Sequence, residues 1–169
     1  MNNEEKKLDS VPVAPPLEKY AVIELGGGFS PEYHPNFDAV CGDTICDLTE
    51  GIPLPNASIE GIYSKDFFEH LTFTEGICLL KECWRVLVAG GFIEFVIPDI
   101  EDAVKRHSDW NEHLRNVIFG TRRHEYDYHK AWYSPSLMEF MLNQLGWHDI
   151  RIHLVPSLES KFIVKAKKK

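Results

Sequence analysis

The apolar run at residues 19–25, Lys-Tyr-Ala-Val-Ile-Glu-Leu, ends in three consecutive glycines, Gly26, Gly27 and Gly28. A short apolar run stopped by glycine reads as a buried strand feeding a turn. Glycine lets the backbone turn sharply and approach a ligand closely, which a Cβ would block. In open α/β sheets, ligands sit beyond the carboxyl ends of the strands, near the switch in strand order. A nucleotide-like ligand is therefore the leading reading, with plain turn chemistry as its alternative. Two phosphate-binding forms fit poorly. No Gly-x-x-x-x-Gly-Lys-Ser/Thr run occurs, and the dinucleotide pattern Gly-x-Gly-x-x-Gly needs glycine where Pro31 stands. Pro31 and Pro35 also disfavour a long helix after the turn. What remains is an acid-led turn suited to a nucleoside without phosphates.

The rest of the chain alternates strand and helix signals. Short extended pieces are expected near residues 37–41 and 44–48, then a Pro-containing loop, then a strand at 59–64. Thr72 or Thr74 can cap a helix running to about Leu87, with Glu75 completing a capping box from Thr72. Ile77, Leu80, Trp84 and Leu87 fall on one face of that helix, and Gly90 and Gly91 stop it. Residues 92–97 are the most strand-like run, and residues 100–118 are expected to be helical in one or two pieces. Ser134 followed by Pro135 opens a helix that stops at Gly146, and two strands near 149–155 and 161–166 finish the chain. Strands alternating with helices through short loops indicate an α/β open sheet. A chain of 169 residues has room for one domain. Its expected division is a flexible Pro-containing lead-in at 1–18, one domain at 19–166 and a basic tail at 167–169.

Six segments in order resemble the class I S-adenosylmethionine-dependent methyltransferases, of the short type-11 kind. Glu24 to Ser30 resembles the first motif, Asp/Glu-x-Gly-x-Gly-x-Gly, with Ser30 at the third glycine. Cys46-Asp47-Leu48 resembles the motif beside adenine, and residues 52–58 resemble the loop written LPFPDNS. Phe68-Glu69-His70-Leu71 stands where LEHL follows the fourth strand. Residues 79–91 resemble LLREWRRVLKPGG, with Val88 and Ala89 in place of Lys-Pro, and residues 133–147 resemble FS…LLxxAGF. The resemblance spans about residues 22–152. It implies a Rossmann-like, mostly parallel twisted sheet with helices on both faces and an antiparallel C-terminal strand. The helix after the first strand is shortened or missing, and the apolar surface this exposes would favour a homo-oligomer.

By resemblance the cofactor is S-adenosylmethionine. Glu24 orients the turn by receiving hydrogen bonds from the methionine amino end or the loop backbone, while Gly26, Gly27 and Gly28 pass close to the cofactor. A carboxylate at the end of strand two accepts both ribose hydroxyls. Asp38 is preferred, because choosing Asp43 leaves too little chain before Asp47 for another strand. Asp47 and Leu48 lie at adenine, and Ser64, Lys65 and Asp66 follow strand four, where the methionine end and the acceptor meet. Catalytic candidates are His70, His129 and Asp99; a structural role for His70 is the competing reading. The loop at 122–129 carries acceptor-binding candidates His124, Tyr126, Tyr128 and His129, with a solvated loop as the alternative. Arg85 is read as a structural partner. The sulfonium methyl is already activated, so alignment and exclusion of water can suffice, and no metal site is expected.

Composition narrows the acceptor. The net charge is −8, and five of the eighteen Lys and Arg lie in residues 161–169, so the body is more acidic still. That argues against nucleic acid and for a small-molecule or glycan-type acceptor. No run is long enough to span a membrane, and residues 1–7 are polar with no apolar run behind them. Four Cys without zinc-ligand spacing are read as buried thiols in a reducing, cytoplasmic setting. The competing functions are a catalytically silent nucleoside-binding or structural relative and, more weakly, an NAD-dependent oxidoreductase.

Overall fold

The computed structural model describes residues 21–107, 109, 111–123, 126–155 and 160–169. The expected lead-in at 1–18, together with Lys19, Tyr20 and His124, lies outside the described residues. Among those described, seven strands form one open sheet in the order β3-β2-β1-β4-β5-β7-β6. They are β1 (Val22–Leu25), β2 (Asn36–Asp38), β3 (Thr44–Ile45), β4 (Ile59–Lys65), β5 (Leu87–Pro98), β6 (His148–Leu154) and β7 (Lys161–Lys167). The first five run parallel, and β7 runs antiparallel to both β5 and β6. This is an open Rossmann-like sheet with an antiparallel C-terminal strand. The strand order reverses between β1 and β4, so the glycine turn after β1 stands at the switch point where such sheets bind ligands.

Among the described residues four α-helices accompany the sheet: α1 (Phe73–Val86), α2 (Ile100–Arg106), α3 (Glu112–Phe119) and α4 (Pro135–Gln144). None is long and apolar enough to cross a membrane. No helix forms between β1 and β2. A segment at 29–35 returns the chain instead, with a cis His34–Pro35 bond, and Tyr33 packs against Tyr63 of β4 at 5.0 Å between ring centres.

Helix α1 begins as its capping signal implies. Thr72 Oγ1 accepts from the Glu75 amide, and the Glu75 carboxylate accepts from the Thr72 amide at 2.7 Å. Thr72→Ala is expected to cost about 1 kcal/mol, read from the urea midpoint; Thr72 is exposed, so packing contributes little to the change. The buried stripe is Gly76, Leu79, Leu80, Cys83 and Val86, so the face is rotated from the expected one and Ile77 is exposed. Trp84 is half-buried against Trp147, with the rings nearly perpendicular. The helix also stops before the glycines. Leu87 is extended and pairs with Ile59, because its fully buried side chain is held as part of β5. At the other end Ser134 caps α4 by accepting from the Leu137 amide, with Pro135 in the first turn.

Two further expectations are corrected. Cys83 is buried, but Cys41 and Cys46 are only partly so and Cys78 is exposed; all four are free. The residues expected as a basic tail instead extend the sheet: Lys167 belongs to β7, and Lys168 exchanges backbone hydrogen bonds with Gly90 and Gly91.

Candidate functional site

At the carboxyl ends of β1, β2 and β4 lies a cavity of about 530 Å³. That size is ordinary for a small-molecule site. Gly26, Gly27 and Gly28 form one wall, and Asp38, Asp47, Leu48, Asp66, Phe67, His70 and Glu75 also line it. Gly26 has φ +70°, and a Cβ there would stand 2.2 Å from the Phe67 ring. The turn is therefore packed directly against the start of the segment after β4.

Glu24 is buried and points beneath the turn. One of its oxygens accepts from the Glu32 and Tyr33 amides at 2.6 and 2.7 Å. Burial raises its carboxyl above the usual range, against the lowering effect of those two donors. Both of these donors belong to the loop backbone. Asn36 Oδ1 receives the Gly27 amide, so the turn and the segment at 29–36 are fastened to each other from both sides.

Asp38 receives the Gly28 amide at 3.1 Å on one oxygen and the Val40 and Cys41 amides on the other. A carboxylate has about four lone-pair positions, so it retains acceptor capacity toward the cavity. Asp43 turns away to His34 and the Asn36 amide and does not line the cavity. Asp47 accepts from the Thr49 amide and hydroxyl, which lowers its carboxyl pKa.

Two candidates are not brought into the site. Ser64 is fully buried, donates to the Leu25 carbonyl at 2.9 Å and does not line the cavity. Asp99 caps α2 by accepting from the Asp102 amide and lines neither this cavity nor its neighbour. Asp66, two residues beyond Ser64 and expected at the same end, does line the cavity, with its Oδ2 2.5 Å from Lys161 Nζ.

A second cavity, of about 610 Å³, adjoins the first through Asp66, His70, Arg123 and Asp127, which line both. Of residues 126–131, Asp127 and His129 line it. The Lys130 and Ala131 amides both donate to the Glu69 carbonyl, and Asp127 is fastened by Thr121 and Arg123. Gly120, at φ +77°, lets the two arms of this loop meet: a Cβ there would fall 1.9 Å from the Asp127 carbonyl oxygen. Tyr126 lines the first cavity, His129 the second and Tyr128 neither, so the acceptor-binding candidates divide.

Glu69, His70 and His129 meet between the cavities. His70 and His129 have ring centres 5.0 Å apart, and Glu69 Oε1 is 3.8 Å from His129 Nε2. Burial raises the Glu69 carboxyl to about 8, helped by the negative charge of Asp66. Burial lowers both histidines. No site role for Glu69 comes from its local pattern; only its complete enclosure marks it.

No family profile matches the sequence, and no curated protein does. Solved structures resemble the fold closely. An S-adenosylmethionine-dependent methyltransferase from Thermotoga maritima superposes with a TM-score of 0.66 at 15% identity, over 89% of this chain and 83% of that one. One from Archaeoglobus fulgidus gives 0.61 at 14% identity, over 90% and 87%. Phosphoethanolamine N-methyltransferase 2 from Haemonchus contortus, solved with S-adenosyl-L-methionine, gives 0.57 at 11% identity; this chain spans 48% of its length.

Proposed function

We propose that this chain, which has the class I S-adenosylmethionine-dependent methyltransferase fold, moves a methyl group from that cofactor to a small-molecule or glycan-type acceptor. One observation carries the reading: the glycine turn after β1 faces the Asp38 carboxylate of β2 across a single cavity at the sheet's switch point. The residues present fit the cofactor. Asp38 would accept from the ribose hydroxyls, Asp47 and Leu48 would flank adenine, and the Gly26–Asp66 end would hold the methionine part. When bound, S-adenosylmethionine supplies a methyl on a sulfonium, an activated leaving group.

The chain's contribution is then placement and exclusion of water. The adjoining cavity is proposed to receive the acceptor, with His70 and Asp127 at the junction and His129 on its wall. These residues would hold the acceptor with a nucleophilic lone pair toward the cofactor's methyl, and His70 or His129 would take up the proton of an acceptor that carries one. The acidic chain disfavours nucleic acid as acceptor. The exposed Ile45 of edge strand β3 and the exposed Phe29 support self-association as part of the same proposal.

Calorimetry tests the reading. Micromolar affinity for S-adenosylmethionine and S-adenosylhomocysteine, with none for NAD, is expected. Asp38→Ala should weaken both sulfur nucleosides ten- to a hundredfold, as expected for about 1.5–3 kcal/mol from a charged hydrogen-bond acceptor. No affinity for any of the three would sink the proposal. Turnover to S-adenosylhomocysteine across an acceptor panel then separates an enzyme from a silent binder.

A further inference from the structure

Glu69, His70 and His129 each offer one ligand-capable atom, and these atoms lie within 4.8 Å of one another. The hydrogen bonding around them decides which atoms carry lone pairs. His129 Nδ1 is 2.8 Å from the Val117 carbonyl, and His70 Nδ1 is 3.0 Å from the Tyr128 carbonyl. A carbonyl only accepts, so His129 Nδ1 carries the proton and its neutral ring keeps the lone pair on Nε2, while the His70 ring interacts with the Asp66 backbone as well as with Tyr128. Backbone carbonyls that orient imidazoles in this way are the usual outer support of metal-binding histidines.

Glu69 completes the set. It is 3% exposed; its Oε1 lies too far from His129 Nε2 for a hydrogen bond, and its Oε2 is buried with no partner. Glu69 Oε2 and the His129 Nε2 lone pair thus meet no donor among the described hydrogen bonds apart from the proton that burial keeps on the Glu69 carboxyl. Asp66, on the wall of the same cavity, adds a second buried oxygen without a partner, Oδ1. The nearby cations are already paired: Lys161 with Asp66 Oδ2, and Arg123 with Asp127. A divalent cation that displaces the Glu69 proton would be met by the carboxylate and the two imidazoles together.

We propose that Glu69, His70 and His129 form a binding site for a first-row divalent cation such as Mn²⁺, Fe²⁺, Co²⁺ or Zn²⁺. Two imidazoles with one carboxylate suit these ions better than Ca²⁺ or Mg²⁺, which prefer oxygen throughout. Metal–ligand distances of about 2.0–2.2 Å place neighbouring ligand atoms about 3–3.5 Å apart, so the side chains close inward on binding. Glu69 Oε2, which has no hydrogen-bond partner, is available for that movement. Three protein ligands leave coordination positions open, and the second cavity is where they face. This revises the expectation of a site without metal. Use of the cation to hold an acceptor oxygen rests on the proposed methyl transfer; cation binding itself does not.

The test uses the full chain stripped with a chelator, titrated with Co²⁺ by visible absorption and with Mn²⁺ by spin resonance. One cation per chain at micromolar affinity is expected, with ligand-field bands from the imidazoles. His129→Gln and Glu69→Gln should each weaken binding at least thirtyfold, while S-adenosylhomocysteine affinity, carried by the other cavity, stays within threefold. That nucleoside affinity also certifies that each variant is folded. No stoichiometric binding by the parent chain, or binding indifferent to both variants, overturns the site. Cation binding without nucleoside affinity in the parent would leave the site standing and remove the methyltransferase reading.

Discussion

Gly26→Ala is expected to destabilise the fold by roughly 2–4 kcal/mol and to weaken S-adenosylhomocysteine binding at least tenfold. Two costs coincide at this position. The backbone is held at φ +70°, which a side chain tolerates poorly, and the new Cβ would stand 2.2–2.6 Å from three atoms of the Phe67 side chain. Those atoms are near the root of the side chain, so a flexible tip cannot give way. Phe67 must move with its backbone, and Phe67 lines the cofactor cavity. Gly28→Ala is the control. It has φ +57° and lines the same cavity, but nothing lies within 4 Å of its Cβ, so only the backbone cost of roughly 1 kcal/mol applies. Urea unfolding of both variants, followed by calorimetry, separates packing from strain. Equal losses in the two would mean that the contact with Phe67 does not hold the turn.

Local chemistry explains which parts of this molecule are legible in its sequence. The turn after β1, the caps at Thr72 and Ser134, and the missing helix over the Pro31–Pro35 segment all follow from residues within a few positions of one another. The choice of Asp38 over Asp43 follows from chain length; Asp38 accepts from the Gly28 amide and lines the cavity, whereas Asp43 accepts from the Asn36 amide and does not. Side-chain direction at strand ends is harder to read. Ser64 and Asp66 differ by two positions at the end of β4, where the alternation of the strand gives way to a residue at φ +52°. Asp99 stands after a strand as a catalytic acid would, yet the helix that starts beside it takes its carboxylate as a cap. The junction of Glu69, His70 and His129 is not local at all. It exists because residues 126–131 return across Glu69, some sixty positions later, through backbone hydrogen bonds that leave no mark in composition or periodicity.

Arg85→Ala should produce the other large effect, a loss of roughly 2–4 kcal/mol in urea unfolding with little direct consequence for the cofactor cavity. The guanidinium fastens the loop between β3 and β4 to α1. Its nitrogens donate to the Ile52 and Leu54 carbonyls, to Asn56 Oδ1 and to both oxygens of Glu82. Glu82 in turn accepts the Ile52 amide at 3.1 Å. Removing Arg85 leaves those loop carbonyls without their donor and beside an unpaired carboxylate. Ile52 and Leu54, both buried, then lose the clamp that seats them in the core. Arg85→Lys should recover only a fraction, because one ammonium cannot reproduce the planar fork that meets carboxylate and carbonyls together. The pair also fixes the sign of an acid effect. The Arg85 hydrogen bond lowers the Glu82 carboxyl below its usual value. Its contribution is therefore complete above the unfolded carboxylate pKa of about 4.3 and fades as pH falls through the lower folded value. The loss on Arg85→Ala, measured at pH 7 and again near pH 3, should shrink at the lower pH. A loss that stayed constant between the two would assign the clamp to its carbonyl contacts alone and exclude the ion pair as a contributor.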